Sequence, residues 1–246
     1  MGVISYGIVG YGRIGQRLAA RLPGAVAILK RGEGLNAFIA RKPSIAVECA
    51  SGQALAEYGP SILAAGIDLV PLSLTALADP DVERRLMAAA KAGPGRLEIA
   101  PGAIGTLDLL ASAREDRLRR VIYRQLKSPA MWQLTPAARL ANLEAVRGRQ
   151  VFFKGSVREV ARRMPDNLNT SVGVALAGLG LDATEVELVA DPAIGETAHE
   201  LEIHAAPGTA VLKLGGRAVA PDGDPVDYTT FSVMRILKRR QARVII

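Results

Sequence analysis

The stretch GIVGYGRIG occupies residues 7–15 and sets three glycines, Gly10, Gly12 and Gly15, in the order G-x-G-x-x-G. The apolar run Val3–Val9 before it reads as a buried strand, and Gln16–Leu22 after it reads as a helix. Each glycine has its own task in such a turn. The first permits the tight bend, the second lets backbone approach a pyrophosphate, and the third lets helix and strand pack closely. N–H groups at a helix start then face phosphate oxygens. The motif is weak alone and gains meaning from a strand before it and a helix after it. Gly10, Gly12, Arg13, Ile14 and Gly15 are therefore expected to contact a dinucleotide, and the chain is expected to open with a Rossmann doubly wound parallel sheet.

Twenty residues beyond Gly10 a carboxylate normally accepts from the cofactor ribose. Here the place falls in AILKRG, residues 27–32, and holds Lys30 and Arg31. A carboxylate would repel a ribose 2′-phosphate, whereas two cations pair with it. Arg13, inside the turn, can stack on the adenine or join them. The expected cofactor is NADP in preference to NAD.

Outward from the turn, strands alternate with helices. Ala25–Leu29, Ser44–Cys49, Asp68–Leu72 and Leu97–Ala100 are strand-like; Gln53–Ala65, ended by Gly66, and Asp81–Ala92 are helical. That alternation implies a parallel sheet. Beyond about Leu118 the pattern changes to RVIYRQL, QVFFKG, TEVELVAD, HELEIHAA and TAVLKLG, strands in succession, with helices at Ser156–Arg163 and Leu168–Leu179. A mostly antiparallel sheet with helices on one face follows. The expected division is a dinucleotide-binding domain over 1–116 and an α+β substrate and dimerisation domain over 117–225. A last helix within 226–246, starting near Tyr228, is expected to pack back on the first domain.

Composition narrows the function. The chain has 246 residues, a net charge of +7 and one cysteine, Cys49. One cysteine excludes an internal disulfide framework and a Cys-rich zinc site, and no carboxylate–histidine cluster has metal spacing. No apolar run is long enough to span a bilayer, and the first residues lead directly into a strand, so a cytoplasmic, membrane-free protein is expected. The basic runs at Arg117–Arg120 and Lys238–Arg240 lack interleaved aromatics for base stacking. They are expected to be solvated faces, with no nucleic-acid partner.

Chemistry-bearing residues are few. His199 and His204 are the two histidines. Five apart on a strand, they point to opposite faces. His199 starts its strand after a loop, where a site can reach it, and an imidazole of pKa ~6.5 serves as acid or base with small shifts. Ala50, Ser51, Ser73 and Thr75 follow strands at the crevice of an open α/β sheet and are expected to line the cofactor. Cys49 is expected to be a small buried residue and no nucleophile. Gly102–Gly105 follows a strand and opens a helix, so its amides suit a carboxylate or a carboxamide. Asn167 and Asn169 precede an apolar helix, and one of them can serve as its N-cap.

At PGAIGTLDLL (101–110) and NLNTSVGVALAG (167–178) the chain resembles the L-aspartate dehydrogenase family. VECASGQALAEYGPSIL, LSLTALADP, FFKGSVREVARRMPDNLNTSVGVALAG and VELVADPAIGETAHELEI extend the resemblance in the family's order. The resemblance implies a Rossmann domain plus an α/β substrate domain, a homodimer, and oxidation of L-aspartate with NAD or NADP to iminoaspartate, which hydrolyses to oxaloacetate and ammonia and can feed NAD synthesis. It also implies that His199 is catalytic and that Ala103 and Asn169 touch the cofactor. One segment departs. The family's N-P-K-T-S is here Asp224-Pro225-Val226-Asp227-Tyr228, so a lysine and two hydroxyls are lost and an acid enters. Lys127 and Arg158 are candidates to replace the lost cation. A sibling dehydrogenase or imine reductase for another amino or imino acid stays open, as does a catalytically silent cofactor-binding regulator.

Overall fold

The computed structural model describes residues 5–164, 168–215 and 228–245. The chain forms two compact units, Met1–Ala103 with Tyr228–Ile246, and Ile104–Asp227.

In the first unit, β1 (Tyr6–Val9), β2 (Ala25–Leu29), β3 (Ile45–Glu48) and β4 (Asp68–Pro71) alternate with α1 (Arg13–Arg21), α2 (Leu35–Ala40) and α3 (Gly52–Ala64); α4 (Pro80–Ala92) follows β4. The strands pair in parallel in the order β2-β1-β3-β4. The chain runs outward from β1 to β2 and then returns to the other side for β3. The order therefore reverses between β1 and β3, and ligands bind beyond the carboxyl ends at such a point. Tyr6, Ile8, Ile45 and Val47 from the strands bury against Leu18 and Leu22 of α1 and against Val233, Ile236 and Leu237 of α9 (Tyr228–Arg239). The buried Tyr6 hydroxyl lies against the carbonyls of Leu18 and Leu22 and ties β1 to the last turn of α1. The end of α9 is fixed electrostatically. Arg239 pairs with Glu98 at 2.5 Å, and Arg240 bridges Asp68 at 2.5 Å and Glu98 at 2.7 Å. Two of the three cations in the run 238–240 are thus neutralised, which departs from the solvated basic face expected there.

The second unit holds β5 (Arg120–Lys127), β6 (Gln150–Ser156), β7 (Glu185–Ala190), β8 (Ala198–Ala205) and β9 (Gly208–Leu214), in the order β6-β7-β5-β8-β9. Only the β5–β7 pair is parallel. Helices α5 (Leu107–Arg114), α7 (Val157–Arg163) and α8 (Asn169–Ala177) pack on this sheet and on one another, and a short α6 (Pro129–Gln133) follows β5. Ser156 caps α7 in a reciprocal box with Glu159. The other sheet face is a lattice of ion pairs. Arg120 and Lys154 meet Glu185, Arg124 meets Glu187 and Glu202, and Arg149 meets Glu200.

Some expectations need correction. The division between the units falls at Ala103/Ile104, before residue 116, because α5 packs on α8, with Leu110 against Gly178. Leu97–Ala100 forms no full strand; Leu97 makes a single parallel bridge to Leu69 before Pro101 ends the run. Helix α2 was not anticipated. It is six residues long and its N-cap, Gly34, offers no side-chain acceptor, so the usual start signals are missing. Its Phe38 fills the space above Gly7, where a Cβ would lie 2.4 Å from the ring.

Candidate active site

The glycine turn has the geometry that its sequence implies. Gly10 adopts φ +95°, and a Cβ there would lie 2.6 Å from the Ala50 Cα. A Cβ on Gly15 would lie 2.3 Å from the Gly10 carbonyl oxygen. A Cβ on Gly12 would meet nothing within 4 Å. The first and third glycines are therefore demanded by the fold. The second faces open space at the start of α1, as a backbone that receives a pyrophosphate must. These residues fit a dinucleotide. Arg13 is the first residue of α1, and Ile14 turns its side chain into the core, leaving its amide at the helix start.

Lys30 and Arg31 follow β2 and are exposed. The Lys30 ammonium sits 5.3 Å from the centre of the Tyr11 ring, so it leans over the glycine turn. The same loop carries Glu33, whose carboxylate accepts from the Lys30 backbone N–H at 2.8 Å.

Glu48 organises the crevice, and sequence reasoning missed it. It ends β3, paired to Val9 on one side and Pro71 on the other, and is 1% exposed. Its Oε1 accepts from the amides of Ala50 (2.8 Å) and Ser51 (3.0 Å) and from the Ser73 hydroxyl (2.9 Å); its Oε2 accepts from the Ser73 amide (3.1 Å). Burial pushes this carboxyl above the ordinary glutamate value, and the four donors pull it back only in part. One side chain thus joins the turns after β3 and β4. The signal was a lone acid in an apolar strand.

The expected crevice residues divide by role. Ala50 backs Gly10. Ser51 caps α3 by accepting from the Ala54 amide, and Ser73 spends its hydroxyl on Glu48. Thr75 is buried in the single-turn helix Leu74–Ala78. Cys49 donates its thiol to the Gly10 carbonyl, and burial pushes its pKa up to about 12. A thiol so held is no nucleophile at neutral pH. Gly102 and Gly105 have φ of +56° and +70°, and Ala103 lies in the turn between them, but the helix opens later than expected, at Leu107.

In the second unit, His199 lies on β8 directly opposite Gln125 of β5. Its Nδ1 is 2.7 Å from the hydroxyl of Tyr123, two residues along β5 on the same face. Tyr123 is fully buried, which pushes its phenol well above the ordinary value and keeps it protonated. Thr170, in the first turn of α8, hydrogen-bonds the same hydroxyl. The imidazole is therefore fixed in orientation at Nδ1 by a group that can donate or accept. His204 takes the opposite face and meets Glu202 at 2.7 Å. Asn169 is the first residue of α8; the N-cap position is Leu168, which bonds nothing with its side chain, so Asn169 is not the cap. Asn167 and Asp224–Asp227 of the departing segment lie outside the described residues. Arg158 is engaged with Asp182 at 2.6 Å, and Lys127 lies 5.0 Å from the centre of the Trp132 ring.

The family described as "Aspartate dehydrogenase, C-terminal" matches residues 108–240, and that described as "Homoserine dehydrogenase, NAD binding domain" matches residues 25–100. An L-aspartate dehydrogenase of Serratia proteamaculans is 36% identical, over 94% of this chain and 95% of its own length. One of Ralstonia pickettii is 42% identical, over 79% of this chain and 73% of its own. The crystal structure of aspartate dehydrogenase from Thermotoga maritima superposes with a TM-score of 0.81 at 26% identity, covering 99% of both chains.

Proposed function

The chain belongs to the aspartate dehydrogenase family and is a nicotinamide-dependent oxidoreductase, and from that premise we propose that it oxidises L-aspartate with NADP preferred. The observation that carries the reading is the likeness to an L-aspartate dehydrogenase across 94% of the chain, through both units. The bound cofactor supplies a hydride acceptor. Gly10, Gly12, Gly15 and the amides at the start of α1 hold its pyrophosphate, and Lys30 with Arg31 pairs with the 2′-phosphate. Glu33 shares their loop, its carboxylate accepting from the Lys30 amide, and offsets part of their positive charge. Ala103 and Asn169 complete the cofactor contacts, on the family resemblance.

Hydride leaves the α-carbon of an amino acid only when the amine is unprotonated. His199 takes that proton, or one from the water that attacks the imine. With Nδ1 committed to Tyr123, the exchange runs through Nε2. L-aspartate loses a hydride and a proton to give iminoaspartate, and water then yields oxaloacetate and ammonia. Assembly as a homodimer in the cytoplasm completes the reading, on the resemblance and the cysteine usage. The test is stoichiometry. With L-aspartate and NADP, oxaloacetate and ammonia should form in equal amounts, each matching the NADPH produced. NADPH without oxaloacetate would mean a different substrate carbon.

A further inference from the structure

Tyr11 stands between the first two glycines of the turn, is 38% exposed and has no assigned role. The sheet brings it to Lys30. β1 and β2 run parallel with Val9 opposite Leu29, and the Gly10 N–H donates to the Leu29 carbonyl at 2.9 Å. The residues that follow this bonded pair are Tyr11 and Lys30, and the Lys30 ammonium lies over the Tyr11 ring, 5.3 Å from its centre. A cation within about 6 Å of a ring centroid is attracted by the negative face of the π-system. The backbone of Lys30 is fixed as well. Its N–H donates to the Glu33 carboxylate at 2.8 Å, and its carbonyl accepts from the Glu33 N–H at 3.1 Å. Gly32, at φ +87°, supplies the left-handed residue that this tight loop requires. An exposed lysine is thus held at both ends, at the end of β2 where a Rossmann site meets the 2′ position of the ribose.

We propose that Tyr11 is a positioning residue for cofactor choice, its ring holding the Lys30 ammonium over the glycine turn in readiness for the ribose 2′-phosphate. This rests on the reading of Lys30 as a partner of that phosphate. A free lysine side chain samples many rotamers, and ordering it opposes binding. A ring under the ammonium orders it before the ligand arrives, so less is lost on binding. An aromatic face suits the task because it is uncharged. A carboxylate in its place would neutralise the cation and repel the phosphate, whereas the ring leaves the charge and the other side of the ammonium open to it. NAD carries no 2′-phosphate and draws no benefit from an ordered lysine.

The test is fluorescence titration of the purified enzyme with NADPH and with NADH, for the wild type, Tyr11→Leu, Tyr11→Phe, Lys30→Ala and the Tyr11→Leu/Lys30→Ala pair. Tyr11→Leu should weaken NADPH about two- to fivefold and leave NADH as in the wild type. Tyr11→Phe keeps the ring and should bind NADPH as the wild type does. In the Lys30→Ala background, Tyr11→Leu should cost NADPH nothing further, because the two side chains act as one unit. Equal losses for NADPH and NADH would overturn the proposal, since they would assign Tyr11 to the turn or to a part that both cofactors share. So would a Phe variant as weak as the Leu variant, which would assign the role to the hydroxyl, and so would additive losses in the pair. Unchanged or tighter NADPH binding by Tyr11→Leu would also overturn it, and would leave the reading of Lys30 standing. A wild type that binds NADPH no more tightly than NADH would instead sink the 2′-phosphate reading itself, and this inference with it.

Discussion

Lys30 and Arg31 stand where an acid would select NAD, and the cofactor choice rests on them. Replacing both with alanine should raise the KM for NADP by about tenfold or more and leave that for NAD within about threefold; equal losses for both cofactors would remove them from the 2′-phosphate. His199 was legible as a candidate because the chain has only two histidines and their spacing sends them to opposite faces. What holds it was not legible. Tyr123 lies 76 residues away in sequence, and its hydroxyl is brought to Nδ1 only by the β5–β8 register. Tyr123→Phe keeps the ring and removes that bond. Turnover with L-aspartate should fall by roughly ten- to a hundredfold and its pH profile should move, with NADPH affinity unchanged. An unaltered profile would reduce Tyr123 to a packing residue.

At the scale of elements, alternation and glycine punctuation marked most strands and helices to within a few residues, because the strands inside each sheet are buried on one or both faces and the edge strands β6 and β9 carry β-branched and aromatic residues. Signals failed where packing alone makes the element. Helix α2 exists because Phe38 covers Gly7, and the run after Gly95 pairs at one residue only. The turns at the strand ends depend on Glu48, whose neighbours in sequence gave no hint that Ser73 would come to it. Glu48→Gln puts an amide where four donors converge. The folded variant should bind NADPH about tenfold more weakly or worse, measured by titration. Binding equal to that of the wild type would mean that the two turns hold their shape without the carboxylate.

Across the molecule, the ion-pair face of the second unit predicts acid sensitivity. Arg120 and then Lys154 hold Glu185 at about 2, against an ordinary value of 4.5. Arg149 lowers Glu200, and Arg124 with His204 lowers Glu202. Depressed carboxyl values mean that the unfolded chain binds more protons in this window. Their contribution is therefore present above the unfolded value and is lost as pH falls through the folded ones. Glu48 works in the opposite sense, since burial raises it and its contribution falls as pH rises. The thermal midpoint should drop between about pH 5 and about pH 2, and added salt should shrink the drop, because these side chains are partly exposed. A midpoint flat across that range would mean that the pairs are formed equally in the unfolded chain. The family was legible from motifs spread over both units, whereas the position of the unit boundary was not, since α5 joins α8 through contacts distant in sequence.

The central claim is tested most directly by initial rates of NADPH and NADH formation with L-aspartate at alkaline pH, alongside D-aspartate, glutamate and alanine. The account predicts the highest kcat/KM for L-aspartate with NADP. No turnover of L-aspartate by protein that binds NADPH would contradict it.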